Sequence, residues 1–164
     1  MASRRSGAAP APTQEELTDA VLGASRALVA IAARSLGAGG EGMTLVQYRA
    51  LVVLSYSGEH RVAELAEQLD VNSSSATRLT DRLARKGLIS RVTDPDDRRA
   101  TLIALTDAGR DAVSAVAARR RTEVSRILRK LPVDTRRSVV TSLEAFTVAA
   151  GEAPEQSWTL GWTS

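Results

Sequence analysis

The sequence predicts a mainly α-helical chain with one small β-hairpin wing. Three observations carry that expectation. Apolar residues recur at 4-3-4-3 spacing in several stretches, cap residues stand at the head of those stretches, and one stretch switches to two β-type runs around a turn. In full, the expected fold is a winged helix-turn-helix flanked by N- and C-terminal dimerisation helices. The 164 residues suffice for one domain with a real core.

The elements follow in order. Residues 1–12 are small, polar and Pro-containing, and read as a disordered N-terminal arm. Thr13-Gln14-Glu15-Glu16 is a capping box, and behind it Leu17, Val21, Ala24, Leu28 and Ile31 form the stripe of an amphipathic helix. That helix stops before Gly37-Ala38-Gly39-Gly40. A second box, Thr44 to Gln47, opens a helix through about Tyr56, closed by Ser57-Gly58. A short helix follows over about Arg61 to Leu69, with Val62, Leu65, Ala66 and Leu69 on one face. Asn72 caps the next helix, which runs to about Lys86 and ends at Gly87.

At Leu88 the pattern changes. Leu88–Val92 and Ala100–Leu105 are short β-type runs, and between them Thr93 to Arg99 is rich in turn formers, so the three pieces read as a hairpin. Thr106 with Asp107 caps a long helix to about Leu131, stopped by Pro132. Asp134 is expected to cap a last helix in which Val139, Leu143, Phe146 and Ala150 repeat at 4-3-4. Residues 13–150 thus form one domain. Within it, 13–36 and 107–150 are expected to be dimerisation helices and 44–105 the winged helix-turn-helix. Residues 151–164, with Trp158 and Trp162, read as a flexible tail whose role the sequence leaves unassigned.

Composition excludes several classes of function. There is no Cys, which removes disulfides, thiolate metal sites and thiol redox sensing, and a single His leaves almost nothing for a metal centre or a catalytic relay. No metal, cofactor or catalytic residue is expected. The Ser73-Ser74-Ser75 run has no nearby base, and Asp94, Asp96 and Asp97 lack the Gly and distal Glu of a calcium loop. The longest unbroken apolar run, Ala27 to Ala33, is short of the roughly 20 residues of a spanning helix, and Arg4 and Arg5 precede no apolar leader. A cytoplasmic protein with no membrane partner is expected. Of the 22 cations 20 are Arg, whose planar fork suits phosphates and guanine edges, although a codon bias would give the same count.

The two short helices joined by Leu69-Asp70-Val71-Asn72 carry the functional argument. In the second, Ala76, Leu79 and Leu83 face inward. At 100° per residue the opposite face carries Ser74, Arg78, Asp81 and Arg85, with Thr77 and Arg82 on its shoulders. Hydroxyls at Ser73, Ser74 and Ser75 near the helix start and guanidiniums further along suit a helix entering the major groove of double-stranded DNA. From Arg78 to Arg99 seven positive residues stand against four negative ones, so this stretch holds a surplus equal to the whole chain's +3. In the wing, Asp97 can pair with Arg99 and fix its fork, and Arg98 or Arg99 can reach a narrow minor groove. A solvated turn would carry similar charges.

These same residues bring a family into view. Val62-Ala63-Glu64-Leu65-Ala66-Glu67-Gln68-Leu69, Ser75-Ala76-Thr77-Arg78-Leu79-Thr80-Asp81-Arg82-Leu83 and Lys86-Gly87-Leu88-Ile89-Ser90-Arg91 resemble the MarR family of bacterial transcription regulators. So does Asp94-Pro95-Asp96-Asp97-Arg98-Arg99, followed by Leu105-Thr106-Asp107-Ala108-Gly109-Arg110. The likeness is close from about Leu45 to Gly109 and rests on pattern alone in the flanking helices. Asp70 stands where the family often has Gly, and Asp tolerates the left-handed conformation that turn needs.

The resemblance implies a homodimer with interlocked first and last helices. It also implies a pseudo-palindromic operator, repression, and release by a small anionic aromatic effector held between the dimer helices and the winged part. Apolar residues on the flanking helices exceed what a small winged domain can cover, which supports dimerisation independently. For the effector the candidates are Arg26, Tyr48 and His60. Each also fits an ordinary structural place: a surface charge, a core aromatic, and a loop or helix-start residue. The basic run Arg119-Arg120-Arg121 with Arg126, Arg129 and Lys130 reads as a solvated or intersubunit face. The rival reading is a helical protein–protein interaction module without DNA binding.

Overall fold

The computed structural model describes residues 10–37, 42–94 and 101–151. Residues 1–9 of the expected arm, the wing tip and residues 152–164 of the expected tail lie outside them. The elements are α1 (Gln14–Gly37), α2 (Leu45–Ser57), β1 (His60–Arg61), α3 (Val62–Gln68), α4 (Ser73–Arg85), β2 (Ile89–Thr93), β3 (Thr101–Leu105), α5 (Asp107–Leu128) and α6 (Val133–Ala149).

Each cap read from the sequence but one forms as expected. The Thr13 hydroxyl accepts the Glu16 N–H at 3.2 Å while the Glu16 carboxylate accepts the Thr13 N–H at 2.8 Å. The same reciprocal pair links Thr44 and Gln47 at the start of α2. The Asn72 side chain accepts the Ser75 N–H at 2.8 Å, and Thr106 accepts the Gly109 N–H at 3.0 Å. The exception is Asp134. Pro132 is the N-cap of α6 and Asp134 lies in its first turn, where a carboxylate meets the positive end of the helix without capping it. Pro132 stops nothing directly either. α5 ends at Leu128, three residues earlier than expected, and the Arg136 guanidinium bonds the Arg129 and Leu131 carbonyls beyond its end.

The hairpin gains a strand. β2 and β3 pair antiparallel, with Ile89 opposite Leu105 and Thr93 opposite Thr101, and β1 adds to the free edge of β3 through His60 opposite Ile103. A two-residue strand is too short to show the period-2 alternation by which strands are read. The sheet order is β1-β3-β2.

Leu51 of α2, Leu65 of α3, Leu83 of α4 and Ile103 of β3 are fully buried together, with Leu88, Val113 and Val116 closing the core from the β2 entry and α5. Truncating one of these to Ala costs about 2–5 kcal/mol. Outside this core the flanking helices are bare. α1 buries only Ile31, Ala32, Ser35 and Leu36, in its last two turns, where the Arg119 guanidinium of α5 bonds the Ser35 carbonyl at 2.9 Å. α6 buries no residue at all, and Val140, Leu143 and Phe146 stand about half exposed.

By length and composition α1 is apolar enough to cross a membrane. The sequence reading missed this because Ser25 and Arg26 interrupt the apolar run that it counted. A core helix of a soluble protein passes the same test, and the end of α1 is packed against α2 and α5.

Candidate nucleic-acid interface

The turn between α3 and α4 is set by backbone geometry. Asp70 has φ 52°, the only positive φ of a non-Gly residue among the described residues, and the N–H groups of Asp70 and Val71 bond back to the carbonyls of Glu67 and Ala66. This is a left-handed helix exit, for which Asp is among the few tolerant L-residues. Asp therefore serves here where Gly is common.

α4 then presents two contrasting faces. Ala76, Thr80 and Leu83 are buried and Leu79 is half buried, so the expected inner face is correct and gains Thr80. Thr80 is tolerable inside because its hydroxyl donates to the Thr77 carbonyl at 2.9 Å. Ser73, Ser74, Thr77, Arg78, Arg82 and Arg85 are exposed; Ser75 is half buried. The hydroxyl of Ser74 donates to Asn72, the Thr77 hydroxyl donates to the Ser73 carbonyl, and Arg78 reaches Ser75 at 3.4 Å. An open groove of about 520 Å³ runs between the start of α2 and α4, lined by Thr44, Gln47, Val71, Ser75, Arg78 and Arg82. Its basic side chains and the N-terminus of α2 favour an anion such as a backbone phosphate.

Asp81 departs from the simple picture of an outward acid. It is half buried and forms an ion pair with Arg91 of β2, while Arg85 bonds the Asp81 carbonyl at 3.4 Å. The Asp81 carboxylate is thus paired with a cation, and α4 is tied to the sheet. Sequence reading did not single out Arg91, because no spacing rule links a helix residue to a strand ten residues on. Nor did it find Arg61, whose guanidinium grips Asp94 at the root of the wing at 2.7 and 3.2 Å. Asp97, Arg98 and Arg99 lie outside the described residues.

The three effector candidates sit on three elements. Arg26 is exposed on α1, Tyr48 is buried in the core, and His60 is buried on β1. The His60 ring engages both nitrogens, Nδ1 with the Gly58 carbonyl at 3.0 Å and Nε2 with the Gln68 amide at 2.7 Å. A neutral ring donating from Nδ1 and accepting at Nε2 satisfies both contacts. Among the described residues no group of three or more His, Asp and Glu side chains could hold a metal ion.

A short helix, a left-handed turn, an exposed Arg- and Ser-bearing helix and a three-stranded sheet define a winged helix-turn-helix protein of the DNA-binding class. Comparison with known proteins agrees. Residues 43–101 match the MarR family model. The crystal structure of RV1404 from Mycobacterium tuberculosis is 43% identical with a TM-score of 0.80, over 88% of this chain and 99% of that one. The transcriptional repressor MdtR of Bacillus subtilis is 36% identical over 88 residues, which are 54% of this chain and 57% of MdtR. BpsR of Bordetella bronchiseptica, whose DNA binding is regulated by 6-hydroxynicotinic acid, shares the fold at 21% identity and TM-score 0.59, over 85% of this chain and 98% of that one. The matches to the first curated relatives span about half of those proteins' length. The chain belongs to the MarR family, a family of transcriptional regulators and not of enzymes.

Proposed function

We propose that the chain is a homodimeric transcriptional repressor that reads a pseudo-palindromic operator through α4 and the wing. The observation that carries DNA reading is the outward face of α4. Arg78, Arg82 and Arg85 stand exposed beside the hydroxyls of Ser73, Ser74 and Thr77, directly opposite a buried Ala76 and Leu83. Such a helix can set Ser and Thr at base edges near its start and Arg forks on guanine or phosphate further along. Asp81 acts by holding Arg91, and Asp97, Arg98 and Arg99 are the further proposed DNA contacts. Its place of action is the cytoplasm, where a bacterial chromosome lies.

The dimer is supported by the bare apolar faces of α1 and α6. Burial at about 25 cal/mol per Å² makes an exposed stripe of Leu, Val and Phe costly unless a second copy covers it. Two α4 helices related by a two-fold axis would meet half-sites about 34–36 Å apart.

Release by a small anionic aromatic molecule completes the proposal, with Arg26, Tyr48 and His60 as candidate contacts. BpsR, of the same fold, responds to such a compound.

The test is selection from a random duplex library with the full chain, followed by sizing of the complex. Recovery of an inverted repeat bound by two copies supports the proposal; recovery of no preferred sequence refutes it. Thermal shift with 6-hydroxynicotinate then probes the effector arm.

A further inference from the structure

One residue bonds two consecutive carbonyls where the recognition helix ends. After α4 the chain turns through Gly87, at φ 70°, into the buried Leu88. The Thr106 hydroxyl donates to the Gly87 carbonyl at 2.7 Å, and the Thr106 N–H donates to the Leu88 carbonyl at 3.2 Å. The same hydroxyl accepts the Gly109 N–H at 3.0 Å, which caps α5. Thr106 therefore opens α5 and ties its first turn to the two residues that follow the end of α4. Gly109 shows how closely α5 sits on the segment that follows α4. A Cβ there would collide with the Leu88 carbonyl oxygen and come within 2.8 Å of Leu105 Cδ1. Backbone meets backbone at this point, so the joint has little freedom to slide.

We infer that Thr106 is a positioning residue for operator reading, fixing the angle between α4 and α5 and thereby the half-site spacing that the dimer accepts. The inference rests on the dimeric reading proposed above. α5 leads directly to the exposed helix α6, while α4 carries the DNA-facing side chains, so the α4–α5 angle is transmitted to the separation of the two α4 helices. One base pair inserted between half-sites moves one of them by about 3.4 Å and turns it by about 34–36°. A rigid joint rejects that displacement and a loose one follows it.

A cap and a joint make different demands on residue 106. Asp is as good an N-cap as Thr, because its carboxylate accepts the Gly109 N–H, but it has no proton for the Gly87 carbonyl. Ser supplies both. The experiment uses the full-length wild type and the variants T106D and T106S. Its probes are the inverted-repeat duplex recovered by the wild type from a random library and two versions with one central base pair added or removed.

Wild type and T106S should prefer the original spacing by about tenfold or more, a difference of about 1.4 kcal/mol. T106D should bind all three duplexes within about twofold of one another. Spacing preference retained by T106D, or lost by T106S, overturns the inference and leaves the dimeric reading intact. Failure of the wild type to recover an inverted repeat overturns both. If T106D does not fold by circular dichroism, T106V removes both the donor and the α5 cap, and a spacing preference that T106V retains overturns the inference.

Discussion

Arg61 and Asp94, 33 residues apart, are joined by two hydrogen bonds to one carboxylate oxygen, at 3.2 Å from Nε and 2.7 Å from Nη2. Asp94 is buried, at 7% exposure, whereas the Arg61 side chain is about half exposed. The pair pins the root of the wing to the strand that precedes α3. Removing Arg61 withdraws the charge that faces a buried carboxylate, so R61A should destabilise the fold by about 1–3 kcal/mol. R61A and D94A together should cost less than the sum of the two. A thermal-denaturation cycle over the four proteins checks this, and strict additivity contradicts the pairing.

The Asp81–Arg91 pair makes a prediction about binding. As an exposed pair it is worth only about 0.2–1 kcal/mol to stability. In R91A, however, the Asp81 carboxylate loses its counter-charge beside a face offered to phosphates. Affinity for DNA should fall about three- to tenfold in R91A and recover in part in R91A/D81A. Equal affinity of the two variants would show that Asp81 repels nothing there.

Phe146 tests the dimer. Its side chain is half exposed in the single chain, so F146D should alter the chain's own fold by no more than about 0.5 kcal/mol. The variant should elute as a monomer with unchanged helical content and lose tight operator binding. An F146D dimer of wild-type affinity means that α6 does not hold the two copies together.

The ion pairs of Glu123, with Arg126 of its own helix and with Arg34 of α1, should fade in acid. The hydrogen bond from Arg126, then its charge, then the weaker contacts of Arg34 hold the Glu123 carboxyl below its ordinary value of 4.5. A depressed folded-state pKa adds stability that is fully present above the unfolded value and is lost as the pH falls through the folded one. The melting temperature of wild type should therefore exceed that of E123Q near neutral pH, and the gap should close below about pH 4.5. A gap that is constant with pH contradicts the ion-pair assignment.

Much of this was legible in the sequence because it depends on local spacing. Caps such as Thr13, Thr44, Asn72 and Thr106 declare themselves by side-chain type followed by an apolar stripe, and each is an interaction across three residues. Asp70 was readable as a left-handed turn through the resemblance, which puts it where Gly is common, together with the tolerance of Asp for that conformation. What was hidden is what tertiary structure creates. β1 exists only because β3 offers an edge, and Arg91 matters only because α4 folds back on β2. Asp134 looked like a cap by type, but Pro132 had already set the chain for helix two residues earlier.

The central claim is that the outward face of α4 meets DNA, and Arg78 is its test. Affinity of the full chain for its selected duplex should be measured across a range of salt for wild type and R78A. If the guanidinium bonds a base edge, R78A loses about 1–3 kcal/mol and relaxes specificity at one position. If it bonds a phosphate, the loss is even across sequences and the salt slope falls by about one. Unchanged affinity together with an unchanged salt slope would contradict the account.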